Sequence, residues 1–129
     1  MLRFALSDDI ETLSKMWIDI FQDDSKYVSE FYDQMLSDIR IALWIQNNEI
    51  IGMIHLIPCI ISPDQKAYYW YAAGIKKEHR GKGIFTEFAT QLLNLLNGEL
   101  ELVNIDGSRI IVPQPQNQIP VHVVKGMGN

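Results

Sequence analysis

The residues best suited to chemistry lie in a short basic turn, Arg80-Gly81-Lys82-Gly83, directly before a helical pattern of apolar residues. The first turn of a helix has unpaired N–H groups and a partial positive charge, and together these bind anions. Glycine lets a ligand approach the backbone closely, and the guanidinium of Arg80 can grip phosphate oxygens. The turn therefore predicts a phosphate site, although a basic surface turn that only caps a helix would have the same composition.

Two common phosphate motifs do not fit this turn. A P-loop requires G-x-x-x-x-G-K-[ST], and no such run occurs in the chain. A dinucleotide-binding fingerprint requires a third glycine after Gly81 and Gly83, and Thr86 stands at that position. The spacing therefore excludes both alternatives.

Hydrophobic periodicity predicts the elements that position the turn. Ser7 is the predicted N-cap of a first helix, a second helix carries Val28 and Tyr32, and a third begins near Gly83 and ends at Asn97-Gly98. Alternating patterns predict strands at Leu2–Leu6, Ile39–Gln46, Glu49–Ile61, Lys66–Ile75 and Glu99–Ile105, with shorter candidates at Arg109–Val112 and Val121–Val124. This order predicts a mixed α/β or α+β fold in a single domain, residues 1–129.

The strand, turn and helix from Ala73 to Phe88 resemble motif A of the GNAT superfamily of N-acetyltransferases. The family pattern is [Q/R]-x-x-G-x-[G/A] after a strand, and Arg80 and Gly83 match its first and fourth positions. Phe85 replaces the small residue that usually stands at the sixth position. The order of predicted elements also resembles the family from Leu2 to Ile105. The resemblance implies a mixed, mostly antiparallel sheet flanked by helices. The C-terminal end of the chain is atypical for the family.

The resemblance also implies a function and a cofactor site. It implies transfer of an acetyl group from acetyl-CoA to an amine acceptor by direct attack in a ternary complex, with no metal. A non-catalytic acyl-CoA-binding or interaction module of the same fold is the alternative. The implied coenzyme A site comprises the strand backbone of Ala73, Gly74 and Ile75 for the pantetheine, and Arg80, Gly81, Lys82, Gly83, Ile84 and Phe85 for the pyrophosphate.

The catalytic groups are less clearly marked than the cofactor site. His55 lies in a predicted central strand and has a suitable unperturbed pKa, but a lone histidine there is also typical of a hydrogen-bonded core residue. Tyr71 is predicted to share a face with Tyr69 and Ala73, where it either lines an acceptor cleft or packs in the core. His55 and Tyr71 are therefore the two weak catalytic candidates.

The C-terminal part departs from the family, whose members usually carry an Asn and then a Tyr that protonates the leaving thiolate. Asn117 is a candidate for the former, but no tyrosine follows Tyr71, and Pro113, Pro115 and Pro120 oppose a normal helix. An incomplete sheet would expose an edge strand, so we expect a homodimer to be possible.

Composition limits the other functional classes. A net charge of −5 argues against nucleic acid as a partner and suits an amine-bearing substrate. No apolar run approaches the ~18 residues of a transmembrane helix, so no membrane partner is expected. The one cysteine, Cys59, and the lack of a visible signal peptide predict a cytoplasmic protein.

Overall fold

A computed structural model describes residues 1–62, 65–103 and 121–123, with the side chains of residues 1–58 and 68–96. The strands are β1 (Leu2–Phe4), β2 (Arg40–Gln46), β3 (Glu49–Ser62), β4 (Gln65–Ile75) and β5 (Val121–Val123). The α-helices are α1 (Ile10–Phe21), α2 (Ser25–Met35) and α3 (Ile84–Val103). Short 3-10 turns span Ser7–Asp9, Leu36–Asp38 and Lys77–His79. None of the described helices has the length and apolarity that crossing a bilayer requires.

The strands form one sheet in the order β1-β2-β3-β4-β5. The first four strands are antiparallel, whereas β5 runs parallel to β4 and pairs with Tyr68–Trp70. Asn47 and Asn48 connect β2 to β3 with φ of 53° and 60°, which is the left-handed pair of a tight hairpin turn. The predicted turn and the predicted mixed, mostly antiparallel sheet flanked by helices are both confirmed.

Each face of the sheet carries its own hydrophobic core. Helices α1 and α2 cover one face, where Leu13, Trp17, Val28 and Tyr32 pack against Met53 of β3. Helix α3 covers the other face, and its buried residues Phe88, Leu92 and Leu96 pack against β2, β3 and β4. The central strands are therefore apolar on both sides, as the continuous hydrophobic run of β3 indicates.

The predicted start of the first helix was wrong. Residues Ser7–Asp9 form a 3-10 turn, and α1 begins at Ile10. The carboxylate of Asp9 accepts hydrogen bonds from the Leu6 N–H at 2.8 Å and from Arg3 at 2.8 Å. Asp9 therefore ties the turn to β1, and Ser7 has no capping role.

The predicted end of the third helix was also wrong. Helix α3 continues through Asn97-Gly98 to Val103, so a strand does not begin at Glu99. The sequence Glu99-Leu100-Glu101-Leu102 alternates as a strand would, but Leu92, Leu96, Leu100 and Val103 also recur at helical spacing. Four residues were too short a window to separate the two periods. The strand candidate at the C-terminal end is confirmed as β5, whereas Arg109–Val112 and Asn117 lie outside the described residues.

A β-bulge interrupts β4 at its centre. His55 pairs with Tyr71 and Met53 with Gly74, so three steps on β4 oppose two steps on β3. The extra residue is Ala72, whose φ of 47° lies in the left-handed region that side chains rarely adopt. Tyr71 and Ala72 consequently both face α1 and α2, while Ala73 faces α3. The prediction that Tyr71 and Ala73 share a face was wrong because regular alternation cannot foresee a bulge.

We predict that Gly52→Ala destabilises the fold through a contact with Ile75. A Cβ at Gly52 would lie 2.6 Å from the Ile75 Cδ1 and 3.3 Å from the Phe88 ring. Overpacking of this kind costs about 2 kcal/mol of unfolding free energy, measured by urea denaturation. The cost should fall in an Ile75→Val background, which lacks that Cδ1. An equal cost in both backgrounds would show that the contact is not what excludes a side chain at Gly52.

Candidate functional site

The first half of the loop between β4 and α3 is anchored to the sheet by Lys76 and Arg80. The Arg80 Nε donates a hydrogen bond to the Ile75 carbonyl at 2.9 Å, which closes the loop onto the end of β4. The Lys76 N–H bonds the Ile51 carbonyl at 2.8 Å, and its Nζ pairs with the Glu49 carboxylate at 2.8 Å. Arg80 thus fixes the position of the glycines that follow it.

The two glycines have the conformation that the predicted anion site requires. Gly81 and Gly83 both have φ of 76°, a left-handed value that glycine adopts readily and most residues with a side chain do not. A Cβ on either glycine would meet no atom within 4 Å, so the outer side of this loop is open. The helical hydrogen-bond ladder starts with Glu87 N–H bonding the Gly83 carbonyl at 3.2 Å. The amides of the first turn, ahead of Glu87, therefore face the glycine loop.

Phe85 does not obstruct this loop. Its side chain is 9% exposed and packs edge-to-face on Phe88, with ring centroids 6.4 Å apart. The bulky side chain at the position where small residues are usual therefore enters the core beneath α3. The backbone of Phe85 remains part of the first helical turn.

The outer edge of β4 has a second feature suited to an extended ligand. Pairing with β5 covers Tyr68–Trp70 and stops there, so within residues 1–62, 65–103 and 121–123 no strand covers that edge at Ala73–Ile75. An edge of this kind can hydrogen bond to an added extended chain. Ala73 is fully buried, and a Cβ at Gly74 would lie 3.3 Å from Ile20 of α1. Packing against the helices thus accounts for the small side chains, and the ligand would use the backbone edge.

His55 is fully buried between α2 and the bulge of β4. Its Nδ1 lies 3.2 Å from the Tyr71 carbonyl and 3.3 Å from the Ala72 carbonyl, so Nδ1 carries the proton and donates. Its Nε2 accepts from the hydroxyl of Tyr32 at 2.8 Å. Burial lowers the pKa of His55 to about 4, although the two backbone hydrogen bonds oppose this shift. His55 is therefore a neutral, hydrogen-bonded core residue at neutral pH.

Tyr71 lies at the surface of the same cluster. Its ring stacks on Phe31 at 5.4 Å and meets Trp17 edge-on at 5.8 Å, and its hydroxyl hydrogen bonds the hydroxyl of Tyr27. Burial and the Tyr27 hydroxyl raise the pKa of Tyr71 well above its ordinary value. The Tyr71 hydroxyl therefore stays protonated at neutral pH.

The structure separates the two weak catalytic candidates. His55 contacts the backbone of Tyr71 from inside the core, while the Tyr71 side chain lines an open groove with Tyr27 and Glu30. Sequence analysis missed Tyr27 and Glu30. Their spacing of three residues on α2, continued by Gln34, places three polar groups on one helical face, and this was the available signal.

Three residues that can serve as metal ligands, Glu49, Glu78 and His79, come together beside β3 and the 3-10 turn that precedes the glycines. Single ligand atoms of Glu49, Glu78 and His79 come within 4.8 Å of one another. The Lys76 Nζ already pairs with Glu49 and lowers the pKa of that carboxyl. The ammonium of Lys76 thus already neutralises one carboxylate of this cluster.

With this geometry in place, comparison with known proteins defines the family. Residues 2–103 match the family described as an acetyltransferase (GNAT) domain, and the chain belongs to that family. The family and the fold establish an acetyltransferase domain. A search of curated proteins gave no significant match.

Solved structures share the fold at low sequence identity. A predicted acetyltransferase with acetyl-CoA from Clostridium acetobutylicum is 20% identical, with a TM-score of 0.60 over 86% of this chain and 79% of that one. The aminoglycoside acetyltransferase meta-AAC0020 from an uncultured soil metagenomic sample, in complex with sisomicin, is 10% identical. Its TM-score is 0.60, and the match covers 98% of this chain and 76% of that one. A transcriptional regulator from Bacillus halodurans C-125 is 13% identical. Its TM-score is 0.61, and the match covers 77% of this chain and 75% of that one. At these identities the likeness concerns the fold.

We predict that His55 makes stability fall in mild acid. Because its folded pKa of about 4 lies below its ordinary value of 6.5, the unfolded chain binds a proton first as the pH falls. The resulting loss of unfolding free energy is about 2 kcal/mol between pH 7.5 and pH 5, measured by urea denaturation. This loss of unfolding free energy is absent at pH values well above 6.5 and complete at pH values well below about 4.

Two variants test whether the imidazole of His55 causes this pH dependence. His55→Asn removes the titrating group and should lack the loss, whatever its stability at neutral pH. Tyr32→Phe keeps the buried imidazole, so it should lose about 1 kcal/mol at every pH yet retain the same acid-dependent loss. If wild type and His55→Asn lost equal stability in this pH range, the assignment to His55 would be wrong.

Proposed function

We propose that this protein transfers an acetyl group from acetyl-CoA to an amine acceptor by direct attack in a ternary complex. The observation that carries the proposal is the pair of left-handed glycines, Gly81 and Gly83, at an open loop before α3. In a family of acetyltransferases, an anion-binding helix start beside an uncovered strand edge suits a ligand with a pyrophosphate and an extended arm.

In this proposal the chain holds coenzyme A mainly through its backbone. The amides of Gly81, Lys82, Gly83, Ile84 and Phe85 face the pyrophosphate, and Lys82 adds charge at the exposed turn. The edge of Ala73–Ile75 pairs with the pantetheine arm as an added strand. Arg80 holds the two parts together through its bond to the Ile75 carbonyl.

Bound acetyl-CoA would supply an activated acetyl group. The amine nitrogen would bond to its carbonyl carbon, the carbon–sulfur bond would then break, the amine proton would pass to solvent, and the leaving sulfur would take up a proton to become the free thiol. The amine must first lose a proton, because an alkyl ammonium has a pKa of about 10.4. An N–H of Ile75 or a neighbour is placed to stabilise the developing oxyanion. His55 has both ring nitrogens engaged in the core, so it is unsuited to take the proton. The Tyr71 hydroxyl stays protonated at neutral pH, so it can donate a hydrogen bond but is unsuited to act as the base.

The alternative is a domain of the same fold that binds acyl-CoA without turnover. It is favoured by one sequence observation, since residues 72–129 contain no tyrosine that could protonate a leaving thiolate. The two functions differ in one measurement. Free coenzyme A should accumulate from acetyl-CoA in the presence of an amine panel if the protein is a transferase, and should not if it only binds.

We predict that a negative charge at position 83 weakens coenzyme A binding more than an uncharged side chain of the same size does. Gly83→Asp and Gly83→Asn have nearly the same shape, and Asn and Asp both tolerate positive φ, so the pair isolates the charge. The Asp variant should bind coenzyme A at least about tenfold more weakly than the Asn variant by calorimetry, because its carboxylate would repel the diphosphate.

Salt and thermal stability provide the controls for this pair. The difference between the two variants should shrink at high ionic strength, since the loop is exposed. Both variants should unfold at similar temperatures without ligand. Equal affinity of the two variants for coenzyme A would contradict a diphosphate site at this loop.

A further inference from the structure

A groove of about 280 Å³ opens on the α2 side of β4. Most of its lining comes from one face of α2, and Ile57 of β3 and Tyr71 of β4 complete the floor. Tyr71 directly precedes the bulge, at the position where β5 stops pairing with β4. The groove therefore adjoins the start of the uncovered edge to which the proposed function assigns the pantetheine.

The described residues that line this groove combine aromatic rings with one carboxylate. The rings of Tyr27, Phe31 and Tyr71 stand beside the apolar side chains of Met35 and Ile57. Glu30 supplies the carboxylate, and it lies 4.0 Å from Lys26 one turn earlier. That ion pair is exposed, with side chains 82% and 55% accessible, so it restrains Glu30 weakly. Aromatic faces with a neighbouring carboxylate are suited to bind a cation.

The two tyrosine hydroxyls add hydrogen-bond acceptors at the same place. One hydroxyl of the Tyr27–Tyr71 pair donates to the other, so the donating oxygen keeps lone pairs for a ligand N–H. Because the pKa of Tyr71 is raised, its hydroxyl carries no negative charge at neutral pH. Among the described residues that line the groove, Glu30 is the one with a carboxylate. The Asp23 carboxylate, which is not part of that lining, acts on Tyr71 electrostatically.

We propose that this groove binds the acceptor, and that the acceptor is a small monoamine with an apolar body, such as an arylalkylamine. This inference rests on the proposed transferase function and names its substrate class. The volume lies at the small end of the range for ligand sites, which suits a compact molecule. The rings hold the apolar body, and Glu30 with the tyrosine hydroxyls holds the ammonium.

The same lining disfavours a polycationic acceptor. An aminoglycoside carries several ammonium groups on a polar body, and its recognition requires several anionic partners. One neighbour of the same fold is an aminoglycoside acetyltransferase in complex with sisomicin, at 10% identity. In the described part of this chain, the groove offers one carboxylate and mostly apolar walls, which suit one ammonium group better than several.

The test measures acceptor binding without any cofactor. Trp17 contacts both Tyr27 and Tyr71, at ring centroid distances of 6.1 Å and 5.8 Å, so its indole N–H signal in ¹⁵N NMR reports on the groove. The protein is titrated with phenethylamine, with phenethyl alcohol as its neutral counterpart, and with sisomicin. Phenethylamine should shift the Trp17 signal and bind about tenfold more tightly than the alcohol. Sisomicin should bind more weakly than phenethylamine.

A matched pair of variants on α2 locates the carboxylate. Glu30→Gln should weaken phenethylamine binding about three- to fivefold and leave the alcohol unaffected. Asp33→Asn removes an exposed carboxylate from the same helix but outside the groove lining, and it should change neither affinity. Equal binding of amine and alcohol, tighter binding of sisomicin, or equal effects of the two variants would each overturn the proposal.

Calorimetry with coenzyme A separates this proposal from the function beneath it. If coenzyme A binds and thiol release occurs with other amines, but phenethylamine leaves Trp17 unchanged, then the transferase stands and the acceptor class is wrong. If phenethylamine binds as expected but coenzyme A does not, the transferase function fails, and the acceptor role of the groove fails with it.

Discussion

The buried imidazole of His55 joins helix α2 to the centre of β4, and the surroundings of the proposed site depend on this junction. One ring nitrogen accepts from Tyr32, and the other donates to the carbonyls of Tyr71 and Ala72. These carbonyls flank the residue with left-handed φ, a conformation that costs about 1–2 kcal/mol for a residue with a side chain. Hydrogen bonds in a dry core can offset that cost, and they hold the bulge in one place.

The bulge affects one face of the sheet and lies beside the uncovered part of the outer edge of β4. It turns Tyr71 and Ala72 toward the same helices, so the Tyr71 ring reaches Phe31 and Tyr27 on α2 and closes the floor of the groove. Beyond the bulge, Ala73–Ile75 runs without β5 toward the loop of Gly81 and Gly83. An aromatic groove, an edge that no described strand covers and the turn with two left-handed glycines thus lie along a single strand.

Sequence patterns predicted the elements whose signals are local. The glycines of the turn, the Asn47-Asn48 hairpin and most strands and helices follow from periodicity and backbone preference. The bulge left no such local signal. Nothing about alanine as a residue type marks position 72, and the hydrogen bond that its carbonyl accepts from His55 spans 17 positions. The extent of α3 was misjudged where helical and strand periods coincide. The role of Tyr27 and Glu30 depends on packing of α2 against β4, which periodicity alone does not reveal.

The central claim is that the glycine loop and the uncovered edge of β4 bind one extended ligand together. The most direct measurement is a titration of ¹⁵N-labelled protein with coenzyme A, read as amide shifts along the backbone. The account predicts that amides of Gly81 to Phe85 and of Ala73 to Ile75 shift together at a single affinity, and that those of β1 and β2 do not. Shifts confined to other elements, or no shifts at saturating coenzyme A, would contradict it.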